Sequence, residues 1–114
     1  MEFRVLGPLE VLGDDDEALR LGGKRPRALL TVLLLHPNEA VSSERLIDAV
    51  WGEDPPASVR GALQVHVHAL RRTLGADRIV TRAPGYLVRL EPEELDAARF
   101  DRLVSERRQP SLSA

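Results

Sequence analysis

The sequence has 114 residues, of which 43% are hydrophobic, 30% are charged and none is cysteine. This composition is typical of one folded domain rather than a disordered chain, and it excludes disulfide scaffolds, thiolate metal sites and cysteine nucleophiles. The longest apolar run, residues 28–35, is much shorter than the roughly 20 residues that span a bilayer, and residues 1–4 do not resemble a signal peptide. We therefore expect a soluble, cytoplasmic protein with no membrane partner.

The formal net charge of −2 conceals an uneven distribution of charge along the chain. Residues 1–56 hold six Lys and Arg against eleven Asp and Glu, whereas residues 57–90 hold six Arg against one Asp. Residues 91–114 hold four basic and six acidic side chains. One basic stretch within a weakly acidic chain is the pattern expected where a polyanion binds.

The first predicted elements are short strands. Residues 3–11 alternate apolar and polar side chains, and a Gly-Pro pair divides this alternation into two pieces. A turn follows at residues 13–16, and residues 18–21 are predicted to return as a strand. We expect an antiparallel sheet of roughly three strands. The acidic residues 14–17 are interpreted as a solvated turn rather than a metal site.

Two helices are predicted after this sheet. Pro26 suits the first turn of a helix whose apolar residues, 28–35, cover most of its circumference, so we expect it to be buried on several sides. Ser42 or Ser43 can cap a second, shorter helix that ends at Gly52. A proline-containing connector then leads to the next element.

A third helix is predicted between Ser58, a favourable N-cap residue, and Gly75. Its core stripe consists of four aliphatic residues at helical spacing, Leu63, Val67, Leu70 and Leu74. Its opposite side carries small, polar and basic residues, namely Gly61, Val65, His68 and Arg72. Residues 79–81 and 86–90 are predicted strands joined by a turn at 82–85, which together form a β-hairpin with an arginine at its tip.

Strands, three helices and a final hairpin, in this order, predict an α+β fold. It is a winged helix-turn-helix with an N-terminal antiparallel sheet and a C-terminal β-hairpin wing. The major groove of B-DNA admits an α-helix, and its base edges carry a unique pattern of donors and acceptors. A basic, polar helix face followed by a hairpin therefore favours double-stranded DNA as the partner.

Several motifs resemble a known family. Residues 63–75, LQVHVHALRRTLG, resemble the recognition helix of the OmpR/PhoB-type winged-helix family, and Gly85-Tyr86 with Arg82 before it resembles the wing. Further motifs are similar to the Streptomyces antibiotic regulatory protein (SARP) family of transcriptional activators: FRVLGPLEV at 3–11, RALL at 27–30, LIDAVWG at 46–52 and Pro55-Pro56. The resemblance covers residues 1–108, with the motifs in the family's order.

The resemblance implies roles for particular residues. Recognition-helix side chains would meet phosphates or base edges, and Arg82 would enter the minor groove. Family members often have a guanine-reading arginine where this chain has Ala69, so here Ala69 or Val65 would instead contact a thymine methyl group. We predict phosphate contacts from Arg60, His66, Arg71 and Arg72, and base reading by Gln64, Val65, His68 and Ala69.

The resemblance also implies a domain organisation and partners. Residues 1–91 would be the winged-helix domain, and residues 92–114 would be a linker and the first helix of a helical activation domain that is incomplete here. A single module makes few contacts, so two copies on repeated half-sites are expected, either as tandem copies on direct repeats or as a homodimer on DNA. The family further implies contact with RNA polymerase and its sigma factor.

Other readings of these residues remain open. Arg71 and Arg72 suit a solvated helix C-terminus, Gln64 is an ordinary surface residue, and Val65 and His66 are also compatible with structural packing. His66 and His68 point about 200° apart on a helix, so they cannot share a metal ion. No nucleophile–base set or phosphate-binding loop is present, so we expect no catalysis, metal or cofactor.

The alternative function is a winged-helix module that docks a protein partner through its third helix or its acidic N-terminal sheet and does not bind DNA. Salt-dependent binding to mixed duplex DNA separates the two hypotheses, because contacts with phosphates release counterions.

Overall fold

The computed structural model describes residues 1–96 and confirms an α+β architecture. Its described residues divide into two compact units, one formed by Met1–Leu19 with residues 91–96 and the other by Arg20–Leu90. No helix in the described part is long and apolar enough to cross a membrane. The predicted activation-domain helix, residues 96–104, lies outside the described residues from residue 97 on, so the division into residues 1–91 and 92–114 stays a prediction.

The N-terminal unit contains two antiparallel strands, β1 (Glu2–Arg4) and β2 (Glu10–Leu12). Phe3 faces Val11 across this pair, and both side chains are buried. Leu95 makes a parallel bridge to Phe3, whose N–H donates to the Glu94 carbonyl at 2.6 Å.

The predicted third strand at residues 18–21 is wrong in its extent. Only Ala18 bridges to Leu12, and the Leu19 N–H donates to the Val11 carbonyl at 2.8 Å. The pairing ends there, and the chain from Arg20 on belongs to the second compact unit. Alternation of apolar residues predicts a strand even where the chain leaves the sheet after one bridge.

The second unit holds three helices and a three-stranded sheet. The helices are α1 (Lys24–Leu35), α2 (Ser43–Trp51) and α3 (Val59–Leu74). The strands are β3 (Val41–Ser42), β4 (Ile79–Arg82) and β5 (Gly85–Val88). They lie in the antiparallel order β3-β5-β4, and the predicted hairpin is therefore present, with a two-residue turn.

Local sequence signals explain where these helices begin and end. Pro26 lies in the first turn of α1, where a missing N–H leaves no hydrogen bond unmade. The Ser42 hydroxyl caps α2 by accepting from the Arg45 N–H at 3.1 Å. Helix α3 follows Ser58, whose side chain makes no capping bond, and ends at Gly75, which has a φ of +110°.

The core of the second unit is aliphatic. The predicted stripe of α3 is fully buried, and it is accompanied by buried leucines of α1 and by residues of the sheet. These residues are Leu29, Leu30, Leu33, Leu34, Leu46, Ile79 and Val88. Because this stripe faces inward, the opposite side of α3 faces solvent.

Gly85 brings the wing onto the start of α2. It pairs with Ser42, and a Cβ at this position would overlap the Val41 carbonyl oxygen and crowd the Ser43 nitrogen at 2.8 Å. The Ser43 N–H and hydroxyl both donate to the Pro84 carbonyl, each at 3.2 Å. The absence of a side chain at Gly85 thus allows the hairpin to pack directly against β3.

Candidate nucleic-acid interface

The outer face of α3 is exposed and carries no acidic residue. The helix contains three arginines, two histidines and no Asp or Glu. Five of its residues are exposed opposite the core stripe, Gly61, Gln64, Val65, His68 and Arg72. At about 100° per residue they lie within an arc of about 100°. Val65 is 64% exposed, so most of this apolar side chain is open to solvent.

Arg71 lies on one flank of this face and fastens α3 to the hairpin. Its Nε donates to the Ile79 carbonyl and its Nη2 donates to the Thr81 hydroxyl, both at 2.9 Å. Its guanidinium also lies 5.9 Å from the centre of the Tyr86 ring. Two N–H donors of the planar guanidinium group therefore bond to β4, and the residue is half-buried.

The predicted role of Arg71 in phosphate contact must be weighed against these bonds. A guanidinium that is held by a backbone carbonyl and a hydroxyl is fixed in position and has fewer donors left for a ligand. We therefore regard Arg71 as the residue that sets the position of the wing relative to α3.

His66 lies on the opposite flank of α3. Its ring is 5.7 Å from that of Trp51, with an angle of 37° between the planes, and the residue is half-buried. Burial lowers the pKa of His66 below its ordinary value of 6.5, and the positive charge of Arg25 lowers it further. Near neutral pH the imidazole is therefore uncharged, and any contact with a phosphate would be a hydrogen bond rather than an ion pair.

Two exposed arginines lie on the wing side of the interface. Arg82 ends β4 at the tip of the hairpin, beside the turn formed by Ala83 and Pro84. Arg60, in the first turn of α3, lines a shallow cavity together with Pro84 and the N-terminal residues of α2. Neither arginine makes an ion pair within residues 1–96, so both guanidinium groups are available to an anion.

Ala69 lies towards the other edge of the outer face. It lines a cavity of about 410 Å³ with Arg72, Thr73 and the segment 20–22. A base contact by Ala69 stays a prediction, because its methyl group lies beside this cavity and not at the centre of the exposed arc. Among residues 1–96 no group of three His, Cys, Asp or Glu side chains is arranged to hold a metal ion.

Sequence reasoning missed three basic residues beside this face. Arg20, Lys24 and Arg25 were counted with the acidic first half of the chain, although all three are exposed next to α3. The pair of basic residues immediately before Pro26 could have indicated this surface, but the net charge summed over residues 1–56 conceals it.

Comparison with known proteins agrees with this geometry. The family described as "Transcriptional regulatory protein, C terminal" matches residues 16–88. The regulatory protein AfsR of Streptomyces griseus is 38% identical over 106 residues, which are 93% of this chain and 11% of AfsR. This chain thus spans about a tenth of that relative.

Two solved structures are also similar. EmbR of Mycobacterium tuberculosis, solved in complex with a low-affinity phosphopeptide, matches with a TM-score of 0.80 and 30% identity, covering 87% of this chain and 27% of EmbR. The DNA-binding domain of CpxR from E. coli matches with a TM-score of 0.55 and 32% identity, covering 66% of this chain and 78% of that domain.

Proposed function

Because the chain belongs to the OmpR/PhoB-type family of transcriptional regulatory domains, among the SARP regulators, we propose that it binds specific double-stranded DNA sequences with α3 in the major groove. The resemblance seen in the sequence is thereby confirmed, and the winged-helix domain is of the DNA-binding type. The observation that supports our proposal is the exposed, acid-free face of α3, flanked by the unpaired arginine at the tip of the wing.

The base-reading residues in this proposal are those at the centre of the exposed arc. Gln64 can make two hydrogen bonds to adenine, and Val65 offers an apolar contact to a thymine methyl group. His68 is exposed beside them and can donate to a purine acceptor or accept from an exocyclic amine. Ala69, at the edge of the arc, would contact only a base displaced towards its side of the groove.

The phosphate contacts in this proposal come from cations at the margins of the arc. Arg60 and Arg72 would fix the register of the protein on the duplex, and His66 would add a neutral hydrogen bond. Arg82 would enter the minor groove next to the major-groove site, where the negative potential attracts guanidinium groups. Arg71 would act through the wing that it holds.

The remaining parts of the proposal concern assembly. One module of this size makes a limited number of base contacts, so tandem binding to direct repeats, or a homodimer on DNA, would supply the specificity that an activator requires. RNA polymerase and its sigma factor are further proposed partners. The same regulatory role would need no catalytic group, metal or cofactor in this domain.

A binding titration tests the proposal. We would select duplexes from a random pool and measure fluorescence anisotropy for the selected duplex and a scrambled one at two salt concentrations. Arg72→Ala should weaken binding to both duplexes equally and should reduce the slope of log affinity against log salt by about one. Gln64→Ala should reduce the preference for one base pair by about 1–3 kcal/mol.

The matched control for these variants is Arg89→Ala. Arg89 is exposed directly after β5, at the end of the hairpin away from its tip, so its removal should leave affinity unchanged. Binding that does not depend on salt, or equal losses on both duplexes after Gln64→Ala, would contradict the assignment. The first of these results would favour the protein-docking alternative.

A further inference from the structure

A second basic surface lies beside α3, on the flank away from the wing. We define it as the basic ridge, formed by Arg20, Lys24 and Arg25, and all three side chains are exposed. Arg20 lines a cavity of about 410 Å³ with Ala69, Arg72 and Thr73 of α3. Lys24 and Arg25 line a second cavity, of about 650 Å³, together with His66.

The ridge and the wing occupy opposite flanks of the same helix. At about 100° per residue, and counting from Leu63 in the core stripe, Arg71 lies at about 80° around α3 and bonds to β4. On the other flank, the ridge adjoins Ala69 and His66, at about 240° and about 300°. The centre of the exposed face lies between these two flanks. A helix that enters the major groove has a phosphate backbone on each side of it, across a groove about 12 Å wide. The wing covers one side only.

The cations of the ridge have no acidic partner within the described residues. None of its three cations, nor the neighbouring Arg72, forms an ion pair within residues 1–96. Arg25 instead lies 5.9 Å from the centre of the Trp51 ring. These four cations are therefore free to meet a ligand of opposite charge.

The position of Lys24 and Arg25 also opposes the stability of the free domain. Both occupy the first turn of α1, which contains no acidic residue. Positive charge at a helix N-terminus is repelled by the macrodipole. Only Arg25 gains a compensating contact in the isolated fold, from the Trp51 ring, whereas an anion bound at the ridge would offset the repulsion of both cations.

The wing side of α3 would face the phosphates of one DNA strand. We propose that the basic ridge contacts the phosphates of the other strand, so that the duplex is held on both flanks of α3. This inference rests on the proposed function and adds residues to it. Polyanion recognition fits because the ridge is an extended row of cations continuous with Arg72, and not a closed pocket for a small ligand.

The test uses the 114-residue chain, a selected duplex and charge-neutral variants. Arg20→Gln and Lys24→Gln should each raise Kd about 3- to 10-fold and reduce the slope of log affinity against log salt by about one. Their thermal midpoints should equal or exceed that of the unmodified protein, which excludes loss of folding as the cause. Arg89→Gln is the control of equal charge change.

Ethylation interference identifies the strand that each surface contacts. Ridge variants should lose interference at phosphates of one strand only, and Arg82→Ala should lose a different set. Unchanged affinity and salt slope in both ridge variants, while Arg72→Ala weakens binding, would overturn the ridge inference and leave the proposed function standing. If the unmodified chain shows no salt-dependent binding, both proposals fail.

Discussion

The attachment of α3 to the wing through Arg71 allows a direct test of how this domain positions its DNA contacts. Replacing Arg71 with lysine keeps the positive charge and most of the aliphatic stem but removes the planar fork that bonds to Ile79 and Thr81. A net hydrogen bond from a charged donor is worth about 1.5–3 kcal/mol, so the loss of both bonds would cost about 3–6 kcal/mol. Because the site is half-exposed and the lysine ammonium can remake one of the two bonds, we expect a loss of about 2 kcal/mol.

Chemical denaturation and DNA titration together measure this effect. A loss of about 2 kcal/mol corresponds to a fall of about 8–16 °C in Tm for a domain of this size. Because the charge is kept, Kd for the selected duplex should rise while the slope against log salt stays constant. A lysine that met a phosphate directly would keep that contact and most of the affinity, so weaker binding together with lower stability, at a constant slope, is the result expected of a residue that positions the wing.

A double-mutant cycle with Thr81→Val supplies the control. Thr81 is exposed and bonds to Arg71, so the two substitutions should couple by about 1 kcal/mol in the free energy of unfolding. Additive effects, within about 0.3 kcal/mol, would show that the bond between these residues contributes nothing. Unchanged affinity of Arg71→Lys for the selected duplex, despite its lower stability, would likewise refute the reasoning and return Arg71 to the phosphate contacts.

Three further substitutions test the fold around the interface. His66 should not affect the pH dependence of the free energy of unfolding above pH 6.5. Below that value the free energy of unfolding should fall, because the imidazole of the unfolded chain takes up a proton before that of the folded chain does. Urea titrations at a series of pH values should show a smaller decline for His66→Gln. Gly85→Ala should destabilise the domain by about 3 kcal/mol or more, measured by thermal unfolding, since its Cβ would overlap the Val41 carbonyl, and a near-normal Tm would contradict that packing. Ser42→Ala should remove about 1 kcal/mol by deleting the α2 cap, and an unchanged denaturation midpoint would show that water replaces it.

Much of the second unit was predictable because its signals are local. The core stripe of α3, its end at Gly75 and the cap at Ser42 each depend on residues within a few positions of one another. The same periodicity predicted which side of α3 is exposed. The returning strand at residues 18–21 was wrong because alternation cannot show where a chain leaves a sheet.

The arrangement of the flanks of α3 was not predictable from the sequence. A helical position shows that Arg71 lies beside the core, but it does not show that β4 lies within reach of the guanidinium. The basic ridge depends on residues 20–25 packing beside a helix about 45 positions later in the chain. Long-range contacts of this kind are set by the tertiary fold and leave no spacing pattern.

The hairpin is tied at two places, through Arg71 on β4 and through the Pro84 carbonyl on the start of α2. Because these bonds attach the wing to both α3 and α2, we expect the distance from Gln64 to Arg82 to stay nearly constant. One base pair inserted between the two contact points moves them apart by about 3.4 Å and rotates one against the other by about 35°. Under the proposed function, DNA sites bound by this domain would therefore tolerate substitutions in that interval far better than changes in its length.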